Sequence, residues 1–121
     1  MGKWQVITTD DFDAWFAEQS EPVQIEISAA VQMLAVVGPM LGRPWADTLK
    51  GSRHANLKEL RVAAEKQVIR IAFAFDPDRL AVLLTAGAKQ GKNEDRFYKA
   101  LILKAETLYA EHLANRQKKD R

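Results

Sequence analysis

Arginine and lysine side chains are the groups in this sequence whose spacing could support chemistry on a phosphate. Segments 57–62 and 67–75 alternate as β-strands do, and each carries one arginine, Arg61 and Arg70. If these strands form a hairpin, both guanidinium groups lie on one face of the sheet, and Lys89, after the next strand, falls on the same face. Two guanidiniums and an ammonium so close together suit the binding of a phosphate and of charge that develops on it.

The face assignment depends on the pairing of the strands. Pairing Val62 with Gln67 and Phe75 with Leu80 gives one apolar face, made by Leu60, Val62, Ile69, Ile71, Phe73, Phe75, Leu80, Val82 and Leu84. The opposite face then carries Glu59, Arg61, Arg70, Arg79, Thr85 and Lys89, with Glu59 directly across from Arg70. The same pattern is typical of a solvent-exposed face whose Glu59–Arg70 pair is worth at most about 1 kcal/mol. The residues alone leave both interpretations open.

Other kinds of site find less support. The chain has no cysteine and two histidines, so a thiolate metal site is excluded and no metal-ligand spacing is present. His112 falls on the apolar side of a predicted helix, which favours a packing or interface role. His54 lies in a loop beside Arg53 and could reach the charged face. Gly87 and Gly91 match neither nucleotide-binding signature.

Charge is distributed unevenly along the 121 residues. The net charge of +2 combines about −5 over residues 1–49 with about +6 over residues 50–104. A basic half on a small protein indicates a polyanionic partner, although segregated surface charge explains the same numbers.

The elements that must position these residues can be placed from periodicity. We predict a strand at 4–8, helices from about residue 10 and from 21 to 38, and an ordered loop over 39–56. Strands at 57–62, 67–75 and 79–86 follow, then a helix from Asn93 to about Arg116 and a frayed tail at 117–121. The order β-α-α-β-β-β-α predicts one α+β domain over residues 1–121. We expect a small, mostly antiparallel sheet with its helices packed on one face.

Several segments together resemble HigB-type toxins of the RelE/ParE superfamily, in particular the phage-derived branch. They are LKGS at 49–52, LKELR at 57–61, IRI at 69–71, LLTAGAKQGK at 83–92, RFY at 96–98 and AEHL at 110–113. The resemblance covers nearly the whole chain and implies a RelE-like fold. It also implies the toxin of a type II toxin–antitoxin system, a metal-independent mRNA endoribonuclease acting at the ribosome without a cofactor. Its partners would be mRNA, the ribosome and a HigA-like helix-turn-helix antitoxin, with operator DNA reached only through that antitoxin.

The resemblance also suggests which residues act. It places catalytic groups at Arg61, Arg70 and Lys89, and Lys92 is a further candidate for proton transfer. RNA-binding candidates are Lys50, Arg53, His54, Lys58 and Tyr98. Members of this branch often carry an acid where this chain has Ala88, which implies weakened activity here.

Two other functions fit the same fold. A ParE-like toxin would act on gyrase and would not need the charged face, and a non-catalytic nucleic-acid-binding module would bind without cleaving. Residues 1–13 lack a signal-peptide pattern, and no apolar run approaches the roughly 20 residues that span a bilayer. We therefore expect a cytoplasmic protein with no membrane partner.

Overall fold

The computed structural model describes residues 3–54, 56–89, 91 and 93–119. The elements are β1 (Gln5–Thr8), α1 (Asp10–Ala17), α2 (Glu21–Val37), a 3₁₀ turn (Gly38–Met40), β2 (Ala46–Thr48), β3 (Leu57–Ala64), β4 (Gln67–Phe75), β5 (Leu80–Ala88) and α3 (Glu94–Lys119). The predicted α+β class is confirmed. The prediction of a loop over 39–56 is wrong at β2, because three residues are too few to show an alternation in the sequence.

Local chemistry fixes where the first two helices begin and end. The Thr9 hydroxyl caps α1 by accepting a hydrogen bond from the Phe12 N–H at 3.0 Å, and Ser20 caps α2 in the same way. Gly38 follows α2 with a φ of +65°, and a Cβ at this position would collide with the Trp4 indole. Gly38 therefore both ends α2 and lets the chain before β1 pack closely against it.

The five strands form one sheet in the order β1-β5-β4-β3-β2. β1 runs parallel to β5, and all other neighbouring strands are antiparallel. The mostly antiparallel sheet is thus confirmed, with one strand more than predicted. β2 pairs only with residues 58–60 of β3, so the end of β3 lies at the edge of the sheet.

The β3–β4 hairpin differs from its predicted register by two residues. Its turn consists of Glu65 and Lys66 alone, with φ angles of 48° and 63°, where the sequence predicts a turn over 63–66. Arg61 is therefore the direct partner of Arg70, and the predicted pairing of Glu59 with Arg70 is wrong. A shift of two residues leaves every side chain on its predicted face, so Arg61 and Arg70 do share one.

The β4–β5 hairpin contains a β-bulge that the sequence analysis does not predict. Phe73 pairs with Leu83 whereas Ala72 pairs with Thr85, which leaves Leu84 as the extra residue. The bulge reverses the alternation along β5. Val82 and Leu84 consequently lie on the face of Ala72, and their assignment to the face of Ile71 is wrong.

Helices cover both faces of the sheet. One apolar core joins α1 and α2 to the face that carries Ile69, Ile71 and Phe73. A second core joins α3 to the opposite face through Ala72, Ala74, Val82, Leu84, Phe97, Leu101, Ala105 and Tyr109. The prediction of helices on one face only is therefore wrong. The small alanine side chains of β4 are covered by α3 and are not exposed to solvent.

One helix in the described part of the chain, Glu21–Met40, is long and apolar enough to cross a membrane by length and composition, with a mean hydropathy of 1.4. This corrects the expectation that no segment approaches such a length. A single helix of this kind is weak evidence for a membrane span. Here Val23, Ile27 and Leu34 of α2 are buried in the core against the sheet.

A hydrogen bond between His112 and the buried side chain of Asp76 ties α3 to the β4–β5 turn. Asp76 Oδ1 accepts the N–H groups of Asp78 and Leu80, each at 2.9 Å, and Oδ2 lies 2.7 Å from His112 Nε2. The Asp76 side chain is fully buried. Burial alone would raise the pKa of Asp76, but the hydrogen bond from His112 and the two backbone N–H groups hold it below 3.8. His112 thus has the packing role that its position predicts.

We expect Asp76→Asn to lower the free energy of unfolding at pH 7 by about 1–3 kcal/mol. A carboxylate with a depressed pKa stabilises the fold above its unfolded-state pKa, and this contribution is lost as the pH falls through its folded-state pKa. Urea unfolding between pH 7 and pH 2 should therefore show a smaller loss of stability in the variant than in the wild type. Glu111→Gln, an exposed change on the same helix, is the control; equal pH slopes for Asp76→Asn and the wild type would contradict the assignment.

Candidate active site

Arg61 and Arg70 come together on the α3 side of the sheet, near the start of α3. They are direct cross-strand partners on β3 and β4, and both are partly exposed. Gly87 of β5 is the partner of Arg70 on its other side, so no side chain separates Arg70 from that strand. A Cβ at Gly87 would lie 3.3 Å from the Phe97 ring, which is tight. The glycine therefore allows α3 to approach the sheet beside the two arginines.

Tyr98 of α3 links the two arginines through a buried acid. Arg70 Nε donates a hydrogen bond to the Tyr98 oxygen at 2.7 Å, and the Tyr98 hydroxyl donates to Glu59 Oε1 at 2.7 Å. Glu59 Oε2 accepts from Arg61 Nη2 at 3.0 Å. We call these four residues, Glu59, Arg61, Arg70 and Tyr98, the arginine–tyrosine site.

The charges of this site leave it cationic. Glu59 is buried, with 3% of its surface exposed, and supplies one negative charge against two guanidinium groups. The hydrogen bond that Arg61 donates to Glu59 raises the pKa of Arg61, which keeps that side chain charged. Burial, aided by the hydrogen bond to Glu59, raises the pKa of Tyr98 above 10.0, although Arg70 acts in the opposite direction. At neutral pH the site thus offers two fixed cations and a protonated phenol.

The Arg70 guanidinium is held in place by more than Tyr98. Its Nη1 donates to the Val68 carbonyl at 3.0 Å, and its Cζ lies 5.7 Å from the centre of the Phe97 ring and 5.5 Å from that of Tyr98. Contacts of a cation with aromatic faces restrict its orientation. A preorganised guanidinium stabilises developing charge without reorienting, which is what catalysis of phosphate chemistry requires.

The lysines predicted for the site lie on different elements and faces of the structure. Lys89 directly follows β5 and is half-buried. Lys58 pairs with Phe73, so the register places it on the face opposite Arg61 and Arg70. Lys50 and Tyr98 line one open groove of about 390 Å³. Lys92 lies outside the described residues.

Arg53 and His54 belong to a loop that contacts α3 further along the helix, at Glu106 and Tyr109. The Arg53 N–H donates to Glu106 Oε2 at 2.6 Å, and the His54 ring packs edge-on against Tyr109. Tyr109 lies eleven residues beyond Tyr98, or about 16 Å along the helix axis. The structure therefore does not bring His54 to the arginine–tyrosine site.

Ala88 faces away from the two arginines. It pairs with Ile69 and packs against the core under α1 and α2. An acidic side chain at this position would lie on the face opposite Arg70. The geometry therefore gives no direct contact through which Ala88 would weaken this site.

The structure adds Glu59 to the site and gives Tyr98 a central position in it. The sequence pattern favours a surface ion pair for Glu59, whereas the structure bonds Glu59 to Tyr98, 39 positions away in the chain. The sequence feature that points to Glu59 as a site residue is its place on the same strand face as the two arginines. The missing information was that α3 covers this face, since that is what buries Glu59.

Comparisons with known proteins place this geometry in context. Residues 14–110 match the family described as phage-derived protein Gp49-like (DUF891). Over 102 residues the chain is 42% identical to a protein named toxin HigB2 of Mycobacterium tuberculosis (strain ATCC 25618 / H37Rv), covering 84% of this chain and 50% of that protein. Over 93 residues it is 41% identical to toxin HigB3 of the same strain, covering 77% of this chain and 79% of that protein. No solved structure is significantly similar. These similarities confirm the resemblance to HigB-type toxins, and the match spans half the length of HigB2.

Proposed function

The chain belongs to the phage-derived Gp49-like family, and on this premise we propose that it is the toxin of a type II toxin–antitoxin pair that cleaves mRNA at the ribosome, in the cytoplasm, without a metal. The observation that carries the proposal is the arginine–tyrosine site. Two adjacent guanidinium groups can stabilise charge on a phosphate, and a phenol bonded to a buried carboxylate can accept a proton; cleavage of RNA by its own 2′-hydroxyl requires both.

Arg61 and Arg70 would bind the scissile phosphate. Attack of the 2′-oxygen forms a new O–P bond and places an extra negative charge on the phosphorus oxygens. Guanidinium groups remain protonated at all working pH values, so they suit charge stabilisation and not proton transfer. Because both are fixed by the sheet, their charge meets the transition state without rearrangement.

Proton transfer would pass through Tyr98. The phenol oxygen takes the proton of the attacking 2′-hydroxyl while the phenol's own proton moves to Glu59 Oε1, 2.7 Å away. The bond from phosphorus to the 5′-oxygen then breaks, and an ammonium supplies the proton that this oxygen needs. Lys89 is the proposed donor, and Lys92 stays a prediction. The products are a 2′,3′-cyclic phosphate and a 5′-hydroxyl.

The RNA would lie across the start of α3. Lys50 and Lys99 line the groove that contains Tyr98, and they supply positive charge for flanking phosphates. Few acid–base groups are present, so the catalyst depends on accurate placement of its substrate. A ribosome that holds the mRNA in position would supply that placement.

An antitoxin of the helix-turn-helix class is the proposed protein partner. The apolar side of α3 is not available to this partner, because Phe97, Leu101, Ala105 and Tyr109 are buried against the sheet. The partner must therefore use another surface. A stable complex should bury more than about 1,000 Å² in total.

Induced expression in bacteria should separate the proposed function from its rivals. We expect incorporation of labelled methionine to fall within minutes and mRNA to show new 5′ ends, while DNA supercoiling stays normal. Loss of supercoiling with intact mRNA would favour a gyrase-directed toxin. Salt-dependent RNA binding without new 5′ ends would favour a binding module.

A further inference from the structure

Most of the large apolar side chains that are exposed in the described part of the chain lie away from α3. Of the large hydrophobic residues exposed in the described part of the chain, only Leu103 lies on α3. The others lie on α2, on the turn after it, beside β2, or on β4 next to the edge strand: Ile25, Val36, Val37, Met40, Trp45 and Val68. Trp45 is 49% exposed and Val68 is 40% exposed. Trp45 and Val68 line the same groove, and exposed apolar side chains that share a groove mark an interaction site.

This surface includes an open strand edge. β2 pairs with β3 only as far as Leu60, and the Arg61 N–H then donates to the Trp45 carbonyl at 2.7 Å. Beyond that bond, β3 has no neighbouring strand on this side among the described residues. The backbone N–H and C=O groups of a strand point to the same edge at every second residue. Ala63 therefore directs its N–H and C=O away from β4, as Arg61 does. Ala63 is exposed, so these two groups are available to another chain.

The edge lies in a groove whose two sides differ in character. An open volume of about 660 Å³ is lined on the α2 side by Ala29, Ala30 and Met33, with Glu26 beside them. On the other side it is lined by Arg61, Val68 and Arg70. A strand placed here would direct alternate side chains toward α2 and toward the two arginines.

We propose that an extended segment of the antitoxin adds to the sheet beside β3, pairing with Ala63. Apolar side chains of that segment would contact Ala29 and Met33, and the acidic side chains between them would pair with Arg61 and Arg70. Glu26 disfavours an acid on the α2 side, which fixes the order of the alternation. The segment would thereby cover the two cations that bind the scissile phosphate. This inference rests on the proposed function, which supplies the partner.

Ala63→Pro tests the strand addition directly, since proline removes the outward N–H and is tolerated on an edge strand. Ala63→Ser, which keeps the N–H, is the matched control. The probe is the product of the reading frame adjacent to this gene, purified and titrated by calorimetry. We expect Ala63→Pro to weaken binding about tenfold or more and Ala63→Ser to bind as the wild type does. Both should cleave RNA as the wild type does, because Ala63 takes no part in the reaction.

Additional measurements distinguish a loss of strand pairing from a loss of folding. Circular dichroism reports whether Ala63→Pro folds; if it does not, hydrogen exchange of the wild-type complex should show protection of the Ala63 amide. Met33→Lys should weaken binding similarly, whereas Leu103→Lys on α3 should not. Equal binding by the proline and serine variants, an unprotected Ala63 amide, or a dimer of this chain formed through the edge would overturn the inference. Failure of the wild type to cleave RNA would instead overturn the proposed function.

Discussion

Replacing Arg70 by alanine should lower the rate of RNA cleavage by about 10²–10³, which corresponds to about 3–4 kcal/mol of transition-state stabilisation. Arg70 is bonded to Tyr98 and stacked near Phe97, so its charge is preorganised where the phosphate would bind. Loss of a partly exposed arginine should cost the fold only about 1 kcal/mol. Growth inhibition in cells and cleavage of ribosome-bound mRNA should therefore fall together while Tm changes little.

Arg79→Ala is the control for this experiment. Arg79 lies in the β4–β5 turn, and its guanidinium lies over the Trp4 ring at 5.0 Å, so its predicted place on the face of Arg70 is wrong. The Arg79→Ala substitution removes the same charge from a distant position and should leave RNA cleavage unchanged. Arg61→Ala should lose activity as Arg70→Ala does. The loss of stability should be larger, because the buried Glu59 loses its salt bridge to Arg61. Full cleavage by both Arg61→Ala and Arg70→Ala would show that the active site lies elsewhere.

Tyr98→Phe should lower kcat by about 10²–10⁴, the usual range for a positioned proton-transfer group. The variant keeps the ring against Arg70 and loses only the hydroxyl, so KM for the RNA should change little. Its buried partner Glu59 is left with one unsatisfied oxygen, at a cost of about 1–3 kcal/mol in stability. Single-turnover rates at saturating enzyme, compared with thermal unfolding, separate the two effects.

Glu59→Gln should reproduce this loss of kcat, because an amide cannot take the proton that Tyr98 passes on. The pH profile gives a second readout. Since burial raises the pKa of Tyr98 above 10.0, the wild-type rate should show no inflection from this phenol in the neutral range. If Tyr98→Phe cleaves within threefold of the wild-type rate, proton transfer does not pass through this residue.

The sequence is sufficient to predict that Arg61 and Arg70 lie on the same face of neighbouring strands. Alternation along 67–75 is unbroken, and β4 has these bounds in the structure. The register error did not affect the conclusion because a shift of two residues preserves the faces of a strand. The turn itself was not predictable, since Glu65 and Lys66 adopt left-handed backbone conformations that usually signal glycine or asparagine.

The rest of the site depends on contacts between residues distant in sequence. The bulge near Ala72 has no local marker such as glycine, and it reverses which side chains of β5 face α3. The position of α3 over Ala72 and Ala74 in turn determines that Glu59 is buried and that Tyr98 reaches it. Periodicity describes one element at a time, so it does not report which face a helix covers.

The most direct test of the central claim is the chemistry of the cut RNA. Purified protein should be incubated with an mRNA bound to ribosomes in the presence of a chelator that still leaves the ribosome intact, and the new ends analysed by mass spectrometry. The arginine–tyrosine site predicts a 2′,3′-cyclic phosphate and a 5′-hydroxyl, with cleavage abolished by a 2′-deoxy substitution at the scissile nucleotide and reduced about 10²–10³ by Arg70→Ala. Cleavage that persists at the 2′-deoxy nucleotide, or that leaves a 5′-phosphate, would contradict the account.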